Sequence, residues 1–330
     1  MGEFTGPGPS KAFFRMVVIS FVVLQLVILA GALVRVSGSG MGCPDWPFCF
    51  GLIIPPVSLD QLPPDYATTF AVEGRPAVFN PWNTWIEFIN RLVGVLAGFC
   101  LLIQTVWAFR YRKINKGIFT LSLGVLLLTM AEGALGARVV SSYLKPAIVT
   151  LHYGLAVIIL ILQTRLLFKI SKSRRSEEEN TLWLVKPWIQ RGLWLLIPLT
   201  IFQVLLGTRV REEWESLIWG HELDHISLWG GLTSSVMDLH RFWSFLMGFL
   251  TIIISIGLLR SQKTREKPPS QGQKILPLTL MAMVILQVVV GFLMTSFNQD
   301  WGKPVHLMGA NTMILVEFLI LWSVSSLKKQ

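Results

Sequence analysis

Cysteine, histidine and acidic residues are all scarce in this chain of 330 residues, numbering three, five and 19. Charged residues make up only 15% and hydrophobic ones 52%, which excludes a soluble globule built around one core. The mean hydropathy of +0.58 agrees. A cleavable signal peptide is also missing: the first apolar run is too long, and Gly38-Ser39-Gly40 follows a complete span.

What the chain has in abundance is long apolar sequence. Eight stretches reach the roughly 20 residues that cross a bilayer. They lie near 13–35, 84–109, 117–139, 147–168, 188–209, 236–259, 275–295 and 305–325. A helix satisfies its own backbone hydrogen bonds in lipid, so the expected fold is an all-α integral membrane protein with eight transmembrane helices. Lys and Arg exceed Asp and Glu by 29 to 19, a net charge of +10. The excess clusters at Lys11/Arg15, Arg110/Arg112/Lys113/Lys116, Lys169/Lys172/Arg174/Arg175, Arg260/Lys263/Arg265/Lys267 and Lys328/Lys329. Each cluster flanks the same side of successive spans, the positive-inside pattern, which sets both termini in the cytoplasm. The basic excess is therefore topological, and no nucleic acid partner is expected. Cys100 falls inside the second span, where packing is its expected role. Cys43 and Cys49 share the first outer loop, where disulfides persist, so a local bridge is expected between them.

Residues 13–168 and 188–325 read as two copies of one four-helix unit. This gives an N-terminal half (1–168), a charged cytoplasmic linker (169–187) and a C-terminal half (188–330). Among odd-numbered spans, Glu132-x-x-x-Gly136-x-Arg138-Val139 matches Gln203-x-x-x-Gly207-x-Arg209-Val210. The seventh span has Gln287-x-x-x-Gly291, and the first has Gly31 ahead of Arg35-Val36. Small residues at such places let helices approach closely, and simple packing is the expected role of these glycines. Among even-numbered spans, Asn90-Arg91 corresponds to His240-Arg241, and His152 to His306. The intervals are similar, 62 residues (152 − 90) and 66 residues (306 − 240). An even number of spans per half gives both copies one orientation, so a pseudo-twofold axis along the bilayer normal is expected to relate two four-helix bundles.

Asn90, His152, His240 and His306 are polar groups inside spans, where they are costly and usually functional. Each is expected within about six residues of its helix start, or roughly 9 Å of rise, so all four share one depth. Two histidines on facing helices can supply the axial nitrogens of a haem. Arg91, Arg138, Arg209 and Arg241 could meet its propionates, carboxylates that suit a guanidinium fork. For a single histidine a hydrogen bond between helices explains as much. Three at one depth with duplicated spacing favour haem.

The halves are chemically unequal. His240 and His306 form a complete ligand pair, suited to an electron-transferring haem. His152 instead faces Asn90, a poor iron ligand, and Glu87 stands one helical turn before Asn90 where the second half has Met237. A redox cofactor in the second half and a reacting haem in the first are expected. Glu87 could also be the structural partner of a nearby arginine, and Asp238 could orient His240 or bind an arginine. Glu317, deep in the last span, is expected in a packing ion pair. His221-Glu222-Leu223-Asp224-His225 matches the zinc-protease pattern H-E-x-x-H. It lies in a loop and lacks a third ligand at the required spacing, since position 231 is Gly, so loop structure is its expected role.

Together these residues resemble the bacterial haem A synthases over all eight spans. The most specific stretch is Gly38-Ser39-Gly40-Met41-Gly42-Cys43-Pro44-Asp45-Trp46-Pro47-Phe48-Cys49, followed by Gly51 and Pro55-Pro56. Glu87-x-x-Asn90-Arg91, His240-Arg241, His152 and His306 complete the pattern. The resemblance implies oxidation of the C8 methyl of haem O to a formyl group in a bacterial cytoplasmic (inner) membrane. It implies haem b as cofactor on His240 and His306, with His152 and Asn90 facing substrate haem and Glu87 as the catalytic acid. Arg91 and Arg138 would serve the substrate, and Arg209 and Arg241 the cofactor. Cys43 and Cys49 would cover the substrate site, exchange electrons, or act as a purely structural disulfide. The partners implied are haem O, a haem O synthase handing it over, cytochrome oxidase assembly factors and a further copy of the chain. Two departures stand out: Asn90 replaces the usual histidine, and the loop between spans five and six lacks the second cysteine pair of many relatives. Two other classes remain open, a di-haem electron-transfer protein linked to quinol and a non-catalytic haem carrier.

Overall fold

The computed structural model describes residues 8–174, 183–220, 235–263, 271–297 and 300–326. The long helices are α1 (Lys11–Val36), α3 (Pro81–Ala108), α4 (Lys116–Ser141), α5 (Pro146–Ser173), α6 (Pro187–Gly220), α7 (Ser235–Lys263), α8 (Gln271–Phe297) and α9 (Gly302–Ser323). A four-residue helix, α2 (Tyr66–Thr69), lies in the loop between α1 and α3. All eight long helices are long and apolar enough to cross a membrane, so this is a multi-pass membrane protein. The strands are β1 (Trp183–Val185) and β2 (Val324–Ser326), paired in parallel with Trp183 opposite Val324.

Two helix starts, those of α1 and α3, are set by side-chain capping rather than by the apolar run. The Ser10 hydroxyl accepts from the Phe13 amide at 3.1 Å and opens α1. Asn80 Oδ1 accepts from the amides of Trp82 (3.0 Å) and Asn83 (3.3 Å), with Pro81 in the first turn. Consequently α3 begins three residues before the apolar stretch at 84. At the other end of its unit α5 continues to Ser173, five residues beyond 168.

The chain forms two compact units, Met1–Arg174 and Arg175–Gln330. In the first, α1 packs on α3, α3 on α4, α4 on α5 and α5 on α1, closing a four-helix ring. In the second, α6, α7, α8 and α9 close a ring in the same order. One end of the first ring is filled by Phe13, Val17, Ala108, Ile118, Leu166 and Ile170. The second ring packs Leu193, Leu196, Leu258, Leu280 and Ile320 around buried Trp183.

Each core carries one deep polar group at a corresponding position. Gln163 stands 11 residues after His152 (163 − 152), and Glu317 stands 11 after His306 (317 − 306). Gln163 and Gln104 exchange amide hydrogen bonds at 2.8 and 3.2 Å, and Gln163 also donates to the Val17 carbonyl at 3.0 Å. Glu317 is fully buried and accepts from the Thr200 hydroxyl at 2.9 Å. The ion pair expected for Glu317 does not form among the described residues; its partner is a neutral hydroxyl. Gln104→Leu should destabilise the first bundle by about 1–3 kcal/mol, because it strands buried amide atoms of Gln163. Gln104→Leu/Gln163→Leu should recover part of that loss in thermal unfolding of the detergent-solubilised protein. A double variant weaker than both singles would contradict this.

Candidate functional site

Between α1 and α3 the chain makes a long loop whose first part is locked onto α3. Cys43 and Cys49 form a disulfide. The Asp45 carboxylate accepts from the amides of Phe50 (2.6 Å) and Gly51 (2.7 Å), whose φ angles of 54° and 74° make the turn. Phe50 is buried edge-on against Tyr66, Phe70 and Phe79. The Thr84 hydroxyl donates to the Gly42 carbonyl at 2.9 Å. A side chain at Gly42 would strike the Asn83 carbonyl, so the approach of loop to helix depends on glycine there.

Glu87 and Arg91, one turn apart on α3, complete the lock. Glu87 is 3% exposed. Its Oε2 accepts from the Cys43 amide at 2.8 Å, and its Oε1 pairs with Arg91 Nη2 at 2.5 Å. Arg91 also donates to the carbonyls of Cys43 (2.7 Å), Asp45 (2.7 Å) and Phe48 (2.8 Å). The two readings of Glu87 therefore share one geometry. It is paired with an arginine, and that pair holds the disulfide loop beside Asn90.

Four interior polar side chains on even-numbered spans each meet a glycine of an odd-numbered span. A methyl group at Gly136 of α4 would sit 3.3 Å from Cε1 of His152 on α5. At Gly207 of α6 it would lie 3.2 Å from His240 of α7, and at Gly291 of α8, 3.5 Å from His306 of α9. Gly31 of α1 faces Asn90 Oδ1 at 3.9 Å. The glycines do more than let helices pack: they make the seats of the imidazoles. The Glu/Gln-x-x-x-Gly repeat carried that signal, and its first residue reaches the same ring for Glu132 with His152 and Gln203 with His240.

Within the second unit the structure brings His240 and His306 within electrostatic reach of each other. Nδ1 of each is buried without a hydrogen-bond partner among the described residues, close to but not bonded to the backbone of Gln203 and Gln287 respectively. Gln203 Nε2 donates to the His240 carbonyl at 3.0 Å and lies 3.4 Å from His240 Nε2. An imidazole whose Nδ1 lies near a backbone group has Nε2 as the nitrogen that could meet an iron. In the first unit, Asn90 Oδ1 is likewise buried and unpartnered. His152 Nδ1 lies 3.0 Å from Glu132 Oε1, with the ring turned off the line of a straight N–H···O bond.

Three arginines stand exposed near these sites. Arg138 donates to the Ser141 hydroxyl at 3.3 Å, and Arg241 lies 3.7 Å from Asp238. Arg209 is exposed two residues beyond the Gly207 seat. The four polar marks do not share one distance from their helix starts. His152, His240 and His306 follow theirs by six (152 − 146), five (240 − 235) and four (306 − 302) residues, and Asn90 by nine (90 − 81). The cause is the Asn80 cap, which starts α3 early. His221 and His225 lie outside the described residues.

Fold and site together define a polytopic membrane protein of two four-helix bundles, each with a polar pair seated on glycines. Residues 14–227 match the family described as Cytochrome oxidase assembly protein. The haem A synthase of Shewanella oneidensis is 28% identical over 93% of this chain and 96% of its own. That of Staphylococcus aureus strain JH9 is 28% identical over 85% of each chain. That of Alkalihalophilus pseudofirmus is 33% identical over 42% of this chain and 40% of its own. The chain belongs to the haem A synthase family of cytochrome oxidase assembly proteins.

Arg91→Ala should release the loop and leave Glu87 buried without its countercharge, a loss of about 3–5 kcal/mol. Thermal unfolding in detergent and proteolysis within residues 37–80 measure this. Arg91→Lys should fall between, since a lysine keeps the charge but not the fork. Wild-type proteolysis of the Arg91→Ala loop would contradict the lock.

Proposed function

We propose that this chain makes haem A by oxidising the C8 methyl of haem O to a formyl group, with a haem b held by His240 and His306. One observation carries the reading: a duplicated bundle keeps two seated histidines in one copy. In the other copy His152 is seated on Gly136 and Asn90 faces Gly31, with the Glu87–Arg91 pair on the helix of Asn90. The matched pair suits a permanent cofactor. The unequal pair suits a haem that arrives, reacts and leaves.

Haem O would lie in the first bundle with His152 as its iron ligand. Asn90, whose Oδ1 has no partner, would stand opposite as a weak ligand or a hydrogen-bond acceptor. Arg138 would meet the anionic edge of the substrate, and Arg209 and Arg241 that of the cofactor. When bound, haem b supplies one-electron transfer. Arg91 serves the substrate through the loop it holds, since its guanidinium is committed to Glu87 and three carbonyls.

Glu87 is the catalytic acid in this reading. Both its oxygens are fixed, by the Cys43 amide and by Arg91, so its field is oriented before substrate arrives. A preorganised carboxylate out of water stabilises positive charge growing at a nearby carbon. The geometry favours that role over free proton exchange. The disulfide loop then covers the site, and Cys43 is part of the scaffold that aims Glu87. Both termini would lie in the cytoplasm, with this site near the outer face of a bacterial cytoplasmic membrane. The expected partners are a haem O synthase as donor, oxidase assembly factors as acceptors, and a second copy of the chain.

Pigments extracted from membranes that make haem O should contain haem A only when this chain is present. Unchanged haem O alongside protein-bound haem b would reject the enzyme and favour an electron-transfer protein or carrier. Glu87→Gln should retain bound haem and lower conversion about 100-fold, in line with the loss of one preorganised charge. His240→Ala or His306→Ala should abolish the low-spin haem b spectrum, and an unaltered spectrum would remove haem b from that pair.

A further inference from the structure

We infer that Glu132 is a positioning residue for the substrate haem, acting through His152. The proposal rests on the haem site described above. The residue four before the seat glycine reaches the same ring at two seats, Glu132 at His152 and Gln203 at His240, one helical turn from the glycine. In the second bundle this residue is an amide at both places, Gln203 beside His240 and Gln287 before the Gly291 seat of His306. In the first bundle it is an acid, with Glu132 Oε1 3.0 Å from His152 Nδ1.

Glu132 has no other partner to explain its charge. Its Oε2 is buried without a hydrogen bond, and no arginine or lysine pairs with it among the described residues. Arg138, the nearest arginine along α4, donates instead to Ser141. A carboxylate inside a membrane span without a basic partner is expensive, and a glutamine fills the same position twice in this protein. Packing alone therefore does not call for the acid.

An acid beside the second nitrogen of a metal-bound imidazole has a defined effect. It accepts the Nδ1 proton in a hydrogen bond, which fixes the tautomer with Nε2 free for iron and makes the ring a stronger donor. The last torsion of histidine is broad, so the small turn that lines N–H up with Oε1 costs little. A stronger donor stabilises ferric over ferrous iron and lowers the reduction potential. Gln203 and Gln287 are neutral and leave the His240/His306 haem without this push. Glu132 thus sets the two haems apart and would hold the iron of the substrate haem more firmly in the ferric state.

Redox titration of the full-length protein loaded with haem O, followed optically, tests this. Glu132→Gln should shift the Fe(III)/Fe(II) equilibrium of the first-site haem about tenfold toward Fe(II), about 59 mV more positive for a one-electron couple. The second-site haem should keep its potential and so report that the protein is folded. Glu132→Asp should stay close to wild type. An unshifted potential in Glu132→Gln overturns the proposal. If Glu132→Gln instead loses first-site haem, Glu132→Asp decides. Recovery of the haem at wild-type potential supports a carboxylate acceptor, and continued loss overturns it in favour of packing. His152→Ala is run in parallel. If it alters no haem signal, His152 is not an iron ligand and the underlying site reading fails, a result distinct from an unshifted Glu132→Gln.

Discussion

A polar side chain inside a membrane span has no water to satisfy it, so it must find its partner within the protein or hold one that arrives. That constraint organises both bundles. Asn90, His152, His240 and His306 all turn inward toward a neighbouring helix, and at each the neighbour is reduced to a glycine. A Cβ at 3.2 or 3.3 Å from an imidazole, as at Gly207 and Gly136, would make the ring give by a few tenths of an ångström, whereas the 3.5 Å at Gly291 is ordinary contact. The rest of the apolar length of each helix serves to bring ring and glycine together.

Both units carry this arrangement, but with different chemistry. The second copy has neutral neighbours, glutamines, beside two histidines. In the first, Asn90 replaces a histidine, Glu132 replaces a glutamine, and the Glu87–Arg91 pair binds the disulfide loop. Glu87 and Glu132 both belong to the first unit, while in the second Asp238 lies exposed beside Arg241. Chemistry that withdraws electrons from a bound macrocycle is helped by fixed negative charge near its iron ligand and near its reacting carbon. On the proposed reading, one unit would keep a cofactor and the other would change what it binds.

Much of this was legible in the sequence, because eight long runs poor in charge admit few structures besides spanning helices. The glycine opposite each histidine was legible in the repeat, since Gly136, Gly207 and Gly291 recur at matching places. Helix starts were less so: Asn80 caps α3 ahead of its apolar run, which puts Asn90 deeper from its helix start than expected. The role of Arg91 depends on where loop carbonyls fall, and no spacing rule gives that. Glu132 was visible in the repeat but looked interchangeable with glutamine. Only its distance to Nδ1 separates the two. The ion pair expected for Glu317 failed because Thr200, remote in sequence, reaches it first.

The central claim is that one bundle ligates haem through two histidines and the other through one. Electron paramagnetic resonance of the purified ferric protein, before and after addition of haem O, tests it most directly. A low-spin signal from the His240/His306 haem should be present throughout, and haem O should add a second, high-spin signal that His152→Ala removes. Two low-spin bis-histidine signals of equal character, or no new signal with haem O, would contradict the account.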